Sequence, residues 1–171
     1  MTRRGRDDRG AALVEFAITL PLLVMFLLGM FTGGIAYNQK LAITNGVREG
    51  SRYGATLPIA SSSCSTVSCW LAQVADVVQA SSEGELGSTV STRNICVAFI
   101  NATGTGTDVT TRLVRTSSGD TVQAGSTCFS DGLPSAEKRV QVTGSRQGTI
   151  EYLVGTATPT LSSQSVTRFE G

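Results

Sequence analysis

The longest hydrophobic pattern in the chain is an uninterrupted apolar run near the N-terminus. Residues 17–36 contain no Asp, Glu, Lys or Arg. Twenty such residues in an α-helix rise about 1.5 Å each and span a hydrocarbon core about 30 Å thick. The run therefore predicts a transmembrane helix.

An amphipathic pattern follows this run. In residues 37–57, apolar and small side chains recur at intervals of three and four, with charged side chains between them. Because this is helical spacing, we expect one helix to continue out of the membrane as a stem over residues 11–57. Gly46, Gly50 and Gly54 share one face of this stem and favour close packing against another helix or a sheet.

Residues 58–171 change to a Ser- and Thr-rich composition with shorter patterns. Residues 67–80 place Trp70 and four aliphatic side chains at helical spacing, after a capping Ser65 or Thr66. We expect Trp70 to lie in a core. The pattern predicts a second amphipathic helix.

The strand patterns come after this helix. Residues 94–101 are apolar on both faces, as in a central strand, and residues 109–115 alternate. We predict a hairpin formed by residues 138–143 and 149–154 around a turn at 144–148, and a closing strand at 163–169. The fold class is therefore α+β: a long transmembrane helix stem, then a small extracytoplasmic domain with one helix packed on an antiparallel sheet.

Composition and charge indicate how the chain is oriented in the membrane, but they say little about its function. The chain has 171 residues, a net charge of +1 and 16% charged residues, which favours neither nucleic acid nor an acidic substrate as a partner. Residues 1–10 hold four Arg and two Asp, and without them the net charge is −1. Because basic flanks stay in the cytoplasm, we expect a single-pass protein of the cell membrane with residues 58–171 outside. A secretory signal peptide is the rival interpretation, but its apolar core is shorter.

A single carboxylate, Glu15, enters the apolar helix. Its charge costs a few kcal/mol at the edge of a lipid-facing segment unless it is paired, protonated or at the interface. Two interpretations remain open. Either Glu15 stays wet at headgroup depth, or it pairs with a specific partner.

The residues around Glu15 resemble those of a known family. Gly10-Ala11-Ala12-Leu13-Val14-Glu15-Phe16 and Arg48-Glu49-Gly50-Ser51-Arg52-Tyr53-Gly54-Ala55 are similar to the TadE-like family of tight-adherence (Tad/Flp) pilus proteins, relatives of type IV pilins. The resemblance covers about residues 9–55. It implies that a membrane prepilin peptidase cuts after Gly10, so that residues 1–10 are a leader and Ala11 becomes the first mature residue, with Glu15 fifth and Phe16 sixth.

The resemblance also implies partners and an assembly role. A cut after Gly10 leaves an ammonium group on Ala11, which can pair with Glu15 of a neighbouring pilin when the two helices are staggered by about one turn. The major pilins of this system are much shorter and usually have Tyr where this chain has Phe16. The departure favours a minor pilin or pseudopilin, anchored through residues 17–36 and incorporated into an extracellular pilus.

All four cysteines lie beyond the membrane segment. With no His in the chain and no paired C-x-x-C motif, a metal site is less favoured than disulfides formed outside the cell. Of the three possible connectivities, we favour Cys64 with Cys69 and Cys96 with Cys128. We expect no metal and no cofactor.

The sequence offers little support for catalysis. Without His there is no Ser-His or Cys-His pair, and the acidic residues of the head are scattered in segments that predict turns. The Gly-rich stretch at residues 104–107 lacks the Lys of a phosphate loop, and the sequon at Asn101 is a pattern only. We therefore expect a TadE-like minor pilin or pseudopilin that is not an enzyme. The alternative is a permanently anchored single-pass surface protein with an adhesive or ligand-binding head.

Overall fold

The computed structural model describes residues 8–59, 64–101, 109–133, 137–152 and 155–170. Several predictions lie on residues outside these ranges. They are the basic leader up to residue 7, the Gly-rich turn at residues 104–107 and most of the sequon that begins at Asn101.

A single long helix, α1, runs from Asp8 to Thr56. It continues through Pro21 and joins the membrane segment to the amphipathic stem without a break. Its two halves differ in surroundings. Every described side chain from residue 10 to residue 31 is exposed, whereas Ala42, Ile43, Val47 and Ala55 are buried. The second half of α1 is therefore part of the core of the following domain, the head.

The second helix, α2, spans Val67–Ala80, as the sequence predicts. Thr66 is its N-cap, and the Thr66 hydroxyl accepts a hydrogen bond from the Cys69 amide. Helix α2 runs antiparallel to α1, because Trp70 lies near Gly54 and Ser82 lies near Gly46. Gly46, Gly50 and Gly54 of α1 are the places where the two helices meet, which confirms the role expected for them.

The head contains a five-stranded antiparallel sheet in the order β3-β2-β1-β4-β7. A separate pair, β5 and β6, extends from the β4–β7 connection. The strands are β1 Asn94–Asn101, β2 Val109–Thr116, β3 Gly119–Ala124, β4 Arg139–Gln147, β5 Ile150–Tyr152, β6 Gly155–Ala157 and β7 Thr160–Arg168. The α+β fold class is confirmed, with the difference that both helices contact the sheet: α1 packs on β4 and β7, and α2 on β1 and β2.

The main core lies between the helices and one face of this sheet. Trp70 is fully buried, donates its indole N–H to the Leu57 carbonyl at 2.9 Å, and forms edge-to-face contacts with Phe99 and Phe169. Phe169 follows β7 and comes from the far end of the chain. The aromatic cluster thus fixes the end of the stem helix to both the central strand and the C-terminal strand.

The predicted hairpin at residues 138–154 is wrong. Residues 144–147 are not a turn but the second half of β4, which pairs with β1 on one side and β7 on the other. The reason is packing: a methyl group on Gly144 would lie 2.7 Å from Leu86 Cδ1 and 3.0 Å from Val47 Cγ2. Gly144 is a strand residue without a side chain because α1 crosses the sheet there.

The second face of the sheet is covered by residues 125–133, which we call the strap. The Cys96–Cys128 disulfide joins the strap to β1, and the Cys128 amide donates to the Gln141 side chain of β4 at 3.2 Å. At its start, the Arg112 guanidinium donates to the Thr127 carbonyl at 3.0 Å. Both faces of β1 are consequently buried, as expected for a central strand.

Candidate functional site

The residues that the sequence assigns to processing and assembly lie at the start of α1. Gly10, Ala11, Glu15 and Phe16 are all exposed, and 61% of Phe16 is accessible. Within the described residues, the Glu15 carboxylate has no ion-pair partner, and the Glu15 backbone carbonyl accepts a hydrogen bond from the Thr19 hydroxyl at 3.0 Å. The head does not contact this end of the helix, so any partner of Glu15 has to come from outside the described chain.

The helix that carries these residues is apolar on every side before it reaches the head. None of the most hydrophobic 18-residue stretch of this helix is buried in the protein. Among the described residues, this is the one helix long and apolar enough to cross a membrane. It forms a single-pass candidate anchor. The large exposed side chains include Leu13, Val14, Ile18, Leu22, Leu23, Phe26, Leu27, Met30 and Phe31.

The head begins directly above this apolar segment. The Lys40 ammonium donates a hydrogen bond to the Ser162 carbonyl of β7, and Glu85, in the loop after α2, pairs with Arg146 at the end of β4. The open groove between α1 and that loop is lined by Met30, Phe31, Gly34, Ile35, Asn38, Gln39 and Glu85. Since residue 40 already touches the head, only a few residues separate the head from the end of the apolar run at residue 36.

The side of α1 that faces away from the head carries charge. Arg48, Glu49, Arg52 and Tyr53, which we call the outer ridge, are exposed. No ion pair joins any of them to another described residue within 4.0 Å. Arg48 and Arg52 are like charges one helical turn apart, an arrangement that destabilises a free helix slightly. The outer ridge is thus a charged surface whose side chains form no ion pair within the part of the chain that the structure describes.

A buried polar cluster holds the end of the strap. Asp131 accepts hydrogen bonds at 2.7 Å from both Arg139 Nε and Gln141 Nε2, and at 3.1 Å from the Leu133 amide. The side chains of Arg139 and Asp131 are only 9% and 7% exposed. Burial alone would raise the pKa of Asp131, but the hydrogen bonds from Gln141, Arg139 and Leu133, with the charge of Arg139, lower it below its ordinary value. This arrangement stabilises the fold and keeps the carboxylate ionised.

Two further ion pairs connect elements of the head. Arg115 on β2 bridges Asp76 of α2 and Asp120 of β3, and Arg146 binds Glu85. The sequence placed the head's acids in solvated turns. Asp120, Asp131 and Glu85 are instead ion-pair partners of arginines, and nothing in their local sequence indicates those partners. Among the described residues there is no group of three or more His, Cys, Asp or Glu that could hold a metal ion.

The structure pairs Cys64 with Cys69 and Cys96 with Cys128, the two pairs that the sequence favours. The first closes a small loop over the first turn of α2, and the second anchors the strap. Among the described residues no cysteine is free. The head has covalent links of the kind that form in oxidising compartments.

Comparison with known proteins gives a match at the stem. The family model described as TadE-like protein matches residues 10–52, about a quarter of the chain. It includes the residues that the sequence assigns to processing, the candidate membrane span and the outer ridge as far as Arg52, and it confirms the resemblance stated for this stretch. The match indicates a protein associated with the tight-adherence pilus. No curated protein and no solved structure matches the chain.

Proposed function

We propose that this chain, whose residues 10–52 match the TadE-like family, is a minor pilin or pseudopilin of a tight-adherence pilus. A prepilin peptidase removes residues 1–10, and the mature protein assembles through its helix. The observation that carries the proposal is the exposure of the first half of α1, with Glu15 near its start and no contact to the head.

The free-energy cost of a charged Glu15 at the edge of the lipid favours pairing with a specific partner over solvation in the headgroup layer. After cleavage, Ala11 carries an ammonium group four residues before Glu15, which corresponds to about 6 Å along the helix. A neighbouring helix staggered by one turn therefore brings its Ala11 ammonium next to Glu15. The pair neutralises two charges in a low-dielectric environment, where the attraction is much stronger than in water.

The head contributes by shape and stability. Its arginine–carboxylate ion pairs join strands, helices and loops of the same domain. One disulfide closes the loop at the start of α2, and the other joins the strap to β1. These features suit a domain that has to stay folded outside the cell. We propose that the orientation follows the basic leader, with the N-terminus in the cytoplasm and the head on the far side of the membrane.

Substitution of Glu15 by Gln tests the assembly role. The variant keeps the size of the side chain, membrane insertion and the fold of the head while removing the charge pair. We expect processed Glu15→Gln protein to be recovered in sheared pilus fibres at a fraction of the wild-type level. Glu137→Gln is the matched control, because Glu137 is an exposed acid of the head with no ion-pair partner in the described structure.

Equal recovery of Glu15→Gln and wild type would contradict the proposal. A wet interfacial Glu can become Gln with little consequence, so that result would favour the permanently anchored adhesin. Loss of recovery in both Glu15→Gln and Glu137→Gln would point to a general effect of charge and would also contradict a specific role for Glu15.

A further inference from the structure

The outer ridge and one loop of the head carry opposite charges at nearly the same height above the membrane. Glu83 follows α2 and is exposed, with no ion-pair partner in the described residues. Its neighbour Ser82 packs on Gly46, since a methyl group on Gly46 would lie 2.9 Å from Ser82 Cβ. Glu83 thus lies near the level of residue 46, about 3 Å along the helix from Arg48.

These two charges face opposite sides of the subunit. Arg48 is two residues beyond Gly46, which places it about 200° around the helix from the face that receives Ser82. Burial agrees with this geometry, because Gly46 is buried and Arg48 is exposed. Glu83 and Arg48 of one molecule consequently cannot pair with each other, but each is presented to a neighbour.

The backbone at Glu83 is unusual. Among the described non-glycine residues, Glu83 alone has a positive φ, at 51°. Gly or Asn adopts this conformation more readily than Glu, and such strain is often retained where a side chain has a function. The left-handed turn is completed by Gly84, at φ 87°, and the Glu83 side chain is exposed at this turn.

The height of these groups excludes lipid as their partner. Arg48 lies twelve residues beyond the end of the apolar run at residue 36, about 18 Å farther along the helix. The headgroup layer is about 5–8 Å thick on each side of the hydrocarbon core. Lipid headgroups are thus out of reach of the outer ridge, whereas a second copy with the same anchor presents Glu83 at the matching height.

We infer that copies of this chain associate side by side in the membrane, with Glu83 of one copy against Arg48 and Arg52 of the next. Because the two surfaces are different and lie on opposite sides, the contact is heterologous and leaves one free surface at each end. Repetition gives a ring or a filament. The inference depends on the proposed function in that all copies share one membrane orientation, and it specifies the partner as this chain itself.

Carbodiimide crosslinking in cells that express two full-length variants tests the contact. The first copy carries Arg48→Lys with Glu83→Gln, and the second keeps wild-type Arg48 and Glu83. A bond between Lys at position 48 and Glu83 can then form only between copies. We expect this crosslinked peptide by mass spectrometry, and we expect it to disappear when the second copy carries Glu83→Gln.

The matched control moves the amine off the outer ridge, to the edge strand β7. Arg168 is exposed and lies at the far end of the head, opposite Arg139 in the sheet. A first copy with Arg168→Lys and Glu83→Gln should give no bond to Glu83. Equal crosslinking from positions 48 and 168, or no bond from position 48 while both copies are in the membrane, would overturn the inference.

Charge reversal provides a second test that does not depend on crosslinking chemistry. Exposed ion pairs change an association constant by up to about fivefold each. Because Glu83→Arg replaces two such pairs by repulsions, it should reduce the multimer fraction by about threefold. Combining Glu83→Arg with Arg48→Glu and Arg52→Glu should restore it, whereas Glu137→Arg should not change it. Failure of the restoration would contradict the pairing.

Recovery in sheared fibres, measured on the same cells, separates this inference from the proposed function. Normal recovery without the crosslink between positions 48 and 83 would refute the contact and leave the pilin role intact. The crosslink without any recovery in fibres would support self-association in the membrane and contradict the pilin role.

Discussion

Gly50 of α1 lies so close to Val78 of α2 that no other residue fits there without movement: a methyl group on Gly50 would lie 2.2 Å from Val78 Cγ2. Gly54 and Gly46 are similarly enclosed, by Val74 and by the Val78 carbonyl. The glycines lower the intrinsic stability of the helix by about 1 kcal/mol each. They are tolerated because they let the two helices approach closely over the sheet.

Gly50→Ala should therefore destabilise the head, although alanine favours a helix. Overpacking of a close contact costs about 1–3 kcal/mol, which outweighs the gain in helix propensity of about 1 kcal/mol. Thermal unfolding of the full-length protein in detergent checks this. Gly33→Ala is the control, since nothing lies within 4 Å of Gly33. Gly50→Ala with Val78→Ala should lose less stability than the sum of the two single variants. A more stable Gly50→Ala protein would contradict the packing.

The two disulfides should contribute unequally to stability. They close segments with sequence separations of 5 and 32 residues, and loop entropy assigns about 2 kcal/mol to the shorter and about 4 kcal/mol to the longer. Cys96→Ser with Cys128→Ser should make the strap protease-sensitive, whereas Cys64→Ser with Cys69→Ser should have a smaller effect. Limited proteolysis under non-reducing conditions measures both. Four free thiols in protein taken from cells would contradict the extracytoplasmic location.

Asp131 should make the head sensitive to acid. Because its pKa is lower in the folded state than in the unfolded state, its contribution is present above the unfolded value and is lost as pH falls through the folded one. We expect this loss below about pH 4. Asp131→Asn should remove about 3 kcal/mol at neutral pH, since it breaks a buried ion pair, and it should flatten the acid dependence.

Asp120→Asn is the control for this experiment. Asp120 is 36% exposed and shares Arg115 with Asp76, so its loss should cost no more than about 1 kcal/mol. Denaturant unfolding between pH 3 and pH 7 distinguishes the two variants. Equal losses for Asp120→Asn and Asp131→Asn would mean that burial of the Asp131–Arg139 pair does not matter.

The elements with a continuous local pattern were predictable from the sequence. Helix α2 and strand β1 have their predicted bounds. The helical spacing of Trp70 and Val74 and the apolar run after Asn94 can be recognised from neighbouring residues alone. The stem helix was predictable for the same reason. Strand β3, Gly119–Ala124, was missed because all six residues are exposed and no apolar face marks it.

The error at Gly144 has a different cause. A Gly followed by Ser and Arg is typical of a turn, and only the three-dimensional arrangement shows that α1 crosses β4 at that point. The Asp131–Arg139–Gln141 cluster also could not be predicted from local sequence patterns. It joins a loop to the beginning of a strand, and only the strap, held by Cys128, brings the loop over the sheet.

The mass of the mature protein shows whether the chain is processed as a pilin. Processing at the site that the TadE-like segment implies should give a chain that begins at Ala11, and Gly10→Val should block the cut by crowding the scissile bond. Intact-mass spectrometry of membrane-extracted protein distinguishes the forms. We expect an Ala11 terminus in wild type and a retained leader in Gly10→Val. A wild-type protein that keeps its leader, or one that begins near Ala36, would contradict the proposed processing.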